Sequence, residues 1–163
     1  MDPAQAETLA AALEREHHEI DAGIEEFLAN RTNRGDQSEP LSRALSALRR
    51  HIYLEEEFLF PPLDEGGLVA PIFVMLREHG EMWQTMDVID AELQRSPQEG
   101  PSEELCHELL EQLERHNSKE EAIIYPQADT TLDAELDAKL RSFLADGEMP
   151  QGWRATQYRQ EHQ

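Results

Sequence analysis

The sequence predicts an all-α protein, an up-down-up-down four-helix bundle with a short C-terminal helix and tail. Four long segments repeat apolar residues at the three- and four-residue spacing of a helix face. Short breaks rich in proline, glycine and polar residues separate these segments. Runs of β-branched residues, which favour strands, do not occur in the 163 residues. Long helices with short connections pack as antiparallel neighbours, which is the bundle arrangement.

The first two helices are predicted on either side of a polar loop at residues 31–39. The first helix runs from about residue 4 to residue 30. Its apolar stripe comprises Leu9, Leu13, Ile20, Ile24 and Phe27. Pro40 is suited to an early position of the second helix, where a missing N–H costs little. The inner face of the second helix comprises Leu41, Leu45, Leu48, His51, Glu55 and Phe58. We expect this helix to fade near Pro61 and Pro62, after which residues 64–67 break the chain.

The third and fourth helices are predicted on either side of a turn at residues 96–101. Pro71 marks the start of the third helix, which continues to about Arg95. Its inner face comprises Met75, His79, Met82, Met86 and Ile89. Ser102 is the expected N-cap of the fourth helix, which ends near Pro126. The inner face of the fourth helix comprises Leu109, Leu113, His116, Glu120 and Ile123.

After the bundle, the helical apolar pattern is shorter and the chain becomes more polar. A weaker helix is predicted from about residue 132 to residue 144, followed by a loose tail held at Trp153. The predicted organisation is a bundle over residues 1–130. Residues 131–163 then form a short helix and polar tail that pack on the bundle or trail from it.

The charge disfavours whole classes of partner. Fourteen Lys and Arg against 35 Asp and Glu give a net charge of −21. Such a chain is repelled by nucleic acid and by anionic membrane surfaces, so neither is expected as a partner. The single cysteine, Cys106, permits no intrachain disulfide and is predicted to lie in the core. We expect a cytoplasmic protein, because the N-terminus lacks the basic start and apolar stretch of a signal peptide.

Two stretches of the chain repeat one another. Residues 15–20 (REHHEI) resemble residues 77–82 (REHGEM), and residues 50–56 (RHIYLEE) resemble residues 115–121 (RHNSKEE). The dipeptide Phe60-Pro61 then corresponds to Tyr125-Pro126. Each half therefore offers one histidine, followed on the next helix by a histidine and a glutamate four residues apart.

The repeated polar residues form a candidate set of metal ligands. Residues four apart share a helix face, and these pairs lie on the apolar stripe instead of the polar face. A polar group on a buried stripe is costly unless it is paired or binds a metal. The predicted ligands are His17, His51, Glu55, His79, His116 and Glu120.

The repeat and the helical phase sort the neighbouring residues. His17 aligns with His79, so His18 is placed at the surface or behind the ligands. His107 lies half a turn from His116 and is excluded, as is His162 in the tail. The second acidic residues, at positions 56 and 121, could orient a histidine or line a channel, although surface placement is favoured.

The residue types limit the metal. Four imidazoles and two carboxylates without a thiolate suit iron, manganese or zinc better than soft metals. Two carboxylates on facing helices could each bridge two ions. Each ion would then have four protein ligands, which leaves about two positions of a six-coordinate iron open.

These motifs resemble the hemerythrin-like, or HHE cation-binding, family over about residues 14–129. The resemblance rests on the Glu-His pairs at 16–17 and 78–79 and on the His-x-x-x-Glu-Glu motifs at 51–56 and 116–121. It implies a four-helix bundle around two iron ions bridged by carboxylates and by an oxo or hydroxo group. By the resemblance, one iron takes His17 and His51, the other takes His79 and His116, and the two glutamates Glu55 and Glu120 bridge.

The sequence departs from the oxygen carriers of that family. Those proteins have two histidines four apart on the third helix, whereas Met75 and Trp83 flank His79 here. The carriers also have an aspartate five residues after the last histidine. Glu121 stands at that spacing, but the repeat favours Glu120. These departures disfavour reversible oxygen transport.

The expected function is that of a non-haem di-iron protein that senses or reacts with dioxygen, hydrogen peroxide or nitric oxide, possible peroxidase activity included. An iron-buffering module without turnover and reversible oxygen binding remain alternatives. A ferritin-like site is disfavoured. Glu14-x-x-His17 and Glu104-x-x-His107 match its Glu-x-x-His motif, but His107 faces away from His116 and the motifs do not repeat in the two halves.

Overall fold

In the computed structural model of the protein, residues 7–31, 38–97 and 100–161 are described. Within these ranges the ordered elements are helices, and no strand occurs. The α-helices are α1 (Leu9–Ala29), α2 (Glu39–Leu54), α3 (Phe60–Glu65), α4 (Val69–Arg95), α5 (Glu103–Lys119), α6 (Tyr125–Thr131), α7 (Ala134–Asp146) and α8 (Thr156–Glu161).

The four long helices α1, α2, α4 and α5 form the predicted bundle. Helix α1 packs on α2 and α5, and α4 packs on the same two helices. Each long helix thus contacts two others. The all-α class and the four-helix bundle are both confirmed.

Side-chain caps fix the starts of two of these helices. The hydroxyl of Thr8 accepts the N–H of Ala11 at 3.0 Å at the start of α1. Ser102 accepts the N–H of Leu105 at 3.3 Å and caps α5, as the sequence predicts. Such caps satisfy backbone donors that have no partner inside the helix.

Two π turns continue α2 and α5, and the sequence did not predict them. They comprise Glu55–Leu59 and Glu120–Ile124, the same stretch of each repeat. Pro61 and Pro126 follow two residues after each turn and have no N–H for the carbonyl four residues back. The expectation that these helices end near the prolines is wrong, because α3 and α6 carry the chain on to Glu65 and Thr131.

The wider π turns also change which side chains face inwards. Ile123, predicted on the inner face, is 46% exposed. Phe58 is only partly buried. A turn with i→i+5 hydrogen bonds shifts the helical phase, so the 3.6-residue pattern fails after Glu55 and after Glu120.

The core consists of two apolar clusters with a polar layer between them. Near each histidine of the repeat, the chain passes from one cluster to the other, although on α2 Ile52 still belongs to the cluster that precedes His51. The flanking pairs are Leu13 and Ile20 around His17, Leu48 and Leu54 around His51, Met75 and Met82 around His79, and Leu113 and Ile124 around His116. The fold therefore places the polar layer across the middle of the bundle.

The chain after the bundle packs against it, which is one of the two arrangements that the sequence left open, and the tail is not loose. Helix α7 contacts α1 and the first π turn, and α8 contacts α4. Ala155 is fully buried and Tyr158 is 8% exposed. Trp153, the predicted anchor, packs on the rings of Tyr53 and Trp83. In the part of the chain that is described, no helix combines the length and apolar character needed to cross a bilayer.

Candidate metal centre

The fold brings all six predicted ligands into the polar layer. The first π turn begins at Glu55 and the second at Glu120, so each carboxylate lies where its helix widens. π turns of this kind occur often at functional sites. The six side chains are at most 3% exposed, which leaves them no water to satisfy them. They are His17, His51, Glu55, His79, His116 and Glu120.

The six residues form two groups that share both glutamates. In each group the donor atoms lie within 4.8 Å of one another. The first group comprises His17, His51, Glu55 and Glu120, and the second comprises Glu55, His79, His116 and Glu120.

Glu55 and Glu120 divide their oxygens between the two groups. Oε2 of Glu55 lies 3.3 Å from Nε2 of His51, whereas its Oε1 lies 3.2 Å from Nε2 of His79. Oε1 of Glu120 lies 3.0 Å from Nε2 of His17, whereas its Oε2 lies 3.2 Å from Nε2 of His116. Each carboxylate can therefore contact two ions at once.

These distances fit a transition-metal ion in each group. Two donors at a right angle on an ion about 2.1 Å away are about 3.0 Å apart. The four histidine–glutamate distances of 3.0–3.3 Å match that spacing. In addition, Oε1 of Glu55 and Nε2 of His79 are buried without a hydrogen-bond partner. Orphaned buried donors aimed at one point suit a bound cation.

Outer carboxylates fix the orientation of two histidines. The Nδ1–H of His51 donates to Glu16 at 2.8 Å, and the Nδ1–H of His116 donates to Glu78 at 3.1 Å. Both glutamates stand one residue before a ligand histidine, so the repeat is also a repeat of these contacts. A hydrogen bond at Nδ1 directs the Nε2 lone pair towards a metal.

Glu56 provides the same contact for His79. The Nδ1–H of His79 donates to Oε2 of Glu56 at 2.8 Å, and the Glu56 side chain is 2% exposed. The surface placement favoured for Glu56 is therefore wrong, because the π turn rotates it inwards. Its counterpart Glu121 is 29% exposed and lies 3.8 Å from Nδ1 of His17.

The buried charges support one another. Burial lowers the pKa of His79, but the carboxylate of Glu55, 3.2 Å from Nε2, and that of Glu56, which accepts the Nδ1–H, outweigh burial and raise that pKa to about 10. Burial likewise opposes protonation of His51, yet the charge of Glu55 raises its pKa well above the usual value. Burial raises the pKa of Glu120, but His116 lowers it well below the usual range. Without metal, the imidazoles of His51, His79 and His116 thus hold protons that offset the charge of the carboxylates.

Tyr125 is the part of the site that sequence reasoning missed. Its hydroxyl oxygen lies 2.8 Å from Oε2 of Glu55 and 2.7 Å from Oε1 of Glu120, and its single proton can be donated to either carboxylate. It also lies 2.8 Å from Nε2 of His17. Burial and the two carboxylates raise the pKa of Tyr125 well above its usual value. The sequence feature that could have indicated Tyr125 is its alignment with Phe60 in the repeat, where a hydroxyl group is the difference.

The two aligned aromatic rings have equivalent positions. Phe60 stacks on His79 with ring centroids 5.5 Å apart, and Tyr125 stacks on His17 at 5.4 Å. The halves therefore differ by one hydroxyl group at this point. That hydroxyl lies among the ligand atoms of His17, His51 and the two glutamates. A metal ion bound there would either be coordinated by the hydroxyl or displace it.

The residues set aside by phase lie where expected. His18 and His107 are exposed, and Cys106 is fully buried in the core. His162 lies outside the described residues. Met75 and Trp83 are buried on either side of His79 but offer no ligand of the histidine type.

A comparison with protein families decides the classification. The profile described as hemerythrin HHE cation binding domain matches residues 8–128. The chain belongs to this family.

The matched region of this hemerythrin-family chain thus runs from α1 into α6, and α7 and α8 lie beyond it. Similar curated proteins include the iron-sulfur cluster repair protein YtfE of Yersinia pestis (strain Pestoides F) and that of Yersinia pseudotuberculosis serotype O:1b. Each is 35% identical over 98 residues, which cover 54% of this chain and 44% of the relative. The match thus covers less than half the length of these relatives. No solved structure matches the chain significantly.

Proposed function

We propose that the protein is a non-haem di-iron protein that senses or reacts with dioxygen, hydrogen peroxide or nitric oxide. One iron would be held by His17 and His51, the other by His79 and His116, and Glu55 and Glu120 would bridge them. These small molecules are the proposed partners.

One observation carries the proposal. Each of the two buried glutamates directs one oxygen into each of two histidine pairs, at 3.0–3.3 Å from the nearest imidazole nitrogen. A structural zinc site uses one closed set of four ligands and has no need of shared carboxylates. Nitrogen and oxygen donors that leave about two positions open per ion suit iron that exchanges ligands with small molecules.

A bound iron pair would supply redox chemistry, and the chain supplies everything around it. The two apolar clusters exclude water on both sides of the polar layer. Glu16, Glu56 and Glu78 hold three imidazole rings so that their Nε2 atoms face the centre. In the metal-free protein, burial and the charges of the two shared carboxylates raise the pKa of Tyr125 well above its usual value, so its hydroxyl keeps its proton.

Reduction of peroxide is the reaction that an assay tests most easily. Hydrogen peroxide takes up two electrons and two protons to give two molecules of water, so a reducing dye must be present. We expect the iron-loaded protein to oxidise the dye faster than an equal amount of free iron. Glu120→Gln, which weakens the shared ligand, should abolish the excess. If the wild-type rate equals that of free iron, the catalytic form of the proposal fails and a sensing role has to be tested by nitric oxide binding.

Iron storage or transfer without turnover is the second candidate. It is favoured by a surface pocket of about 340 Å³ between α1 and α5, which reaches His17 and is lined by carboxylates. The acidic residues of this pocket are Asp21, Glu25, Glu114 and Glu121. Negative charge beside a ligand attracts cations and suits metal exchange. The relatives that repair iron-sulfur clusters support the same idea. Transfer of iron from the loaded protein to an apo-ferredoxin, without dye oxidation, would favour this candidate over the first.

A further inference from the structure

We propose that Thr156 in α8 is a positioning residue for the metal centre: it fixes Glu56, and Glu56 fixes His79. The inference rests on the proposed metal-binding function and adds to it a segment outside the matched family region. It also predicts that the two metal positions differ in affinity.

Three groups form a continuous chain of contacts from the tail to the centre. The backbone N–H and the hydroxyl of Thr156 donate to Oε1 of Glu56 at 3.0 Å and 2.9 Å. The other oxygen of Glu56 accepts the Nδ1–H of His79 at 2.8 Å. Nε2 of His79 then lies 3.2 Å from Oε1 of Glu55. Both oxygens of Glu56 are thereby used, so its carboxylate can hold the His79 ring in one orientation.

Independent contacts hold the tail in place. A Cβ on Gly80 would lie 3.0 Å from Cβ of Gln157, so the glycine lets α8 approach α4 closely. Tyr158 donates a hydrogen bond to Asp87 on the same helix α4. The indole N–H of Trp153 donates to Glu57 at 2.9 Å. Thr156 is therefore fixed from both sides along the chain, and its two donors keep a constant direction.

The other half of the repeat has a different arrangement. Glu121 corresponds to Glu56, yet it lies 3.8 Å from Nδ1 of His17 and is 29% exposed. Nδ1 of His17 is buried without a hydrogen-bond partner. His17 also borders the acidic surface pocket, whereas His79 is completely buried. The tail therefore contacts the second acidic residue of one half only, namely Glu56.

The expected consequence is a tight and a weak metal position. A hydrogen-bonded carboxylate behind a ligand histidine typically changes metal affinity by about 10- to 100-fold. At the metal position of His79 and His116, each imidazole ring donates a hydrogen bond to such a carboxylate. The position of His17 and His51 has it on His51 alone. Two equivalents of metal should therefore bind in two separable steps.

The test compares Thr156→Val with Thr156→Ser in the full chain. Competition between the protein and a chelator for Co²⁺ measures the two steps. Thr156→Val should weaken the tighter step by about tenfold, since one of two donors to Glu56 is lost. It should leave the weaker step unchanged, and Thr156→Ser should restore the wild-type value. Thr85→Val is the matched control, because the Thr85 hydroxyl donates to the backbone carbonyl of Glu81 on its own helix α4.

A second readout does not depend on metal. In the metal-free protein, ¹⁵N NMR of the imidazoles should show that the Nδ1–H of His79 exchanges with water faster in Thr156→Val. The Nδ1–H of His51, held by Glu16, should not change. If both His79 exchange and the tighter step are unaffected by Thr156→Val, the inference is wrong. If the wild-type protein binds no metal, the proposed function fails instead, and the exchange measurement still tests the positioning of His79.

Discussion

Nε2 of His79 and Oε1 of Glu55 face each other 3.2 Å apart in the core, and neither has a hydrogen-bond partner. Leaving one buried polar group unsatisfied costs about 1–3 kcal/mol. The neighbouring group of donors differs, because the Tyr125 hydroxyl lies within it. The two candidate metal positions are therefore chemically distinct before any metal binds.

Removing a predicted ligand should reduce both metal content and stability. We expect His116→Ala to lower the iron content of the purified protein and to abolish the gain in melting temperature on iron addition, because binding to the folded state stabilises it. His107→Ala, nine residues earlier on α5 and exposed, is the control and should change neither quantity. Loss of metal from the His107 variant with retention in the His116 variant would mean that the ligand face is wrong.

Replacing Tyr125 with phenylalanine should remove the hydroxyl group by which the two aligned aromatic positions differ. Without the phenol, Glu55 and Glu120 lose a donor in the metal-free core. The free energy of unfolding should therefore fall by about 1–3 kcal/mol, as measured by urea denaturation of the metal-free protein.

Tyr53→Phe is the control for the Tyr125 change. Tyr53 is partly buried and contacts the rings of Phe58 and Phe143, away from the ligands. Removal of the Tyr53 hydroxyl should have little effect on the free energy of unfolding. An equal loss of stability in the two variants would show that the contacts of the Tyr125 hydroxyl with the carboxylates are not the cause.

The metal-free protein should become less stable as the pH rises from about 6.5 to about 10. The folded pKa of His79, about 10, lies above its ordinary value of 6.5. Below pH 6.5 both the folded and the unfolded state hold the proton, and the stabilising contribution of His79 is fully present. Above 6.5 the unfolded state loses the proton while the folded state keeps it, so the contribution declines up to the folded pKa. Denaturation at several pH values measures this slope, and His79→Gln should flatten it. If His79→Gln leaves the pH dependence of the unfolding free energy unchanged, His79 is not the group that causes it.

Metal affinity should respond to pH in the opposite direction. An ion has to displace the protons from His79, His51 and His116, whose pKa values are all raised. Binding should release protons and strengthen as the pH increases from 6 to 8. Calorimetric titrations in buffers of different ionisation enthalpy count the released protons. Binding that releases no protons would mean that the imidazoles are not the ligands.

Arg50 should matter for stability because it links α2 to the end of α7. It donates to the carbonyls of Gly147 at 2.7 Å and Leu144 at 3.0 Å, and to Glu16 at 3.2 Å. A lysine cannot reproduce this fork, so Arg50→Lys should cost about 1–3 kcal/mol in thermal or urea unfolding. Arg43→Lys, an exposed residue on the same helix that lies 3.7 Å from Glu39, should cost almost nothing. Equal losses would contradict the specific role of Arg50.

The bundle and the ligand set were accessible from the sequence for a physical reason. Polar residues on an apolar stripe at four-residue spacing stand out, and the repeat separates His17 from His18. The structure places the chosen residues together, including Glu120 instead of Glu121. The repeat also implies the contacts of Glu16 and Glu78, although their partners became clear only in three dimensions.

The sequence did not reveal the π turns and what depends on them. A constant helical period cannot anticipate a change of phase, so Ile123 was placed inside and Glu56 outside. The contact of Thr156 with Glu56 joins residues a hundred positions apart, and no local pattern encodes it. Tyr125 was visible only as a departure from Phe60, and its meaning required the positions of both carboxylates.

The most direct test of the central claim is the metal stoichiometry of the purified protein, combined with Mössbauer spectroscopy after loading with ⁵⁷Fe. If two iron ions share Glu55 and Glu120, each chain should contain two iron ions that are magnetically coupled. Glu55→Gln should abolish that coupling. A single tightly bound ion per chain, zinc or iron, with no coupled pair under any loading condition would contradict the account.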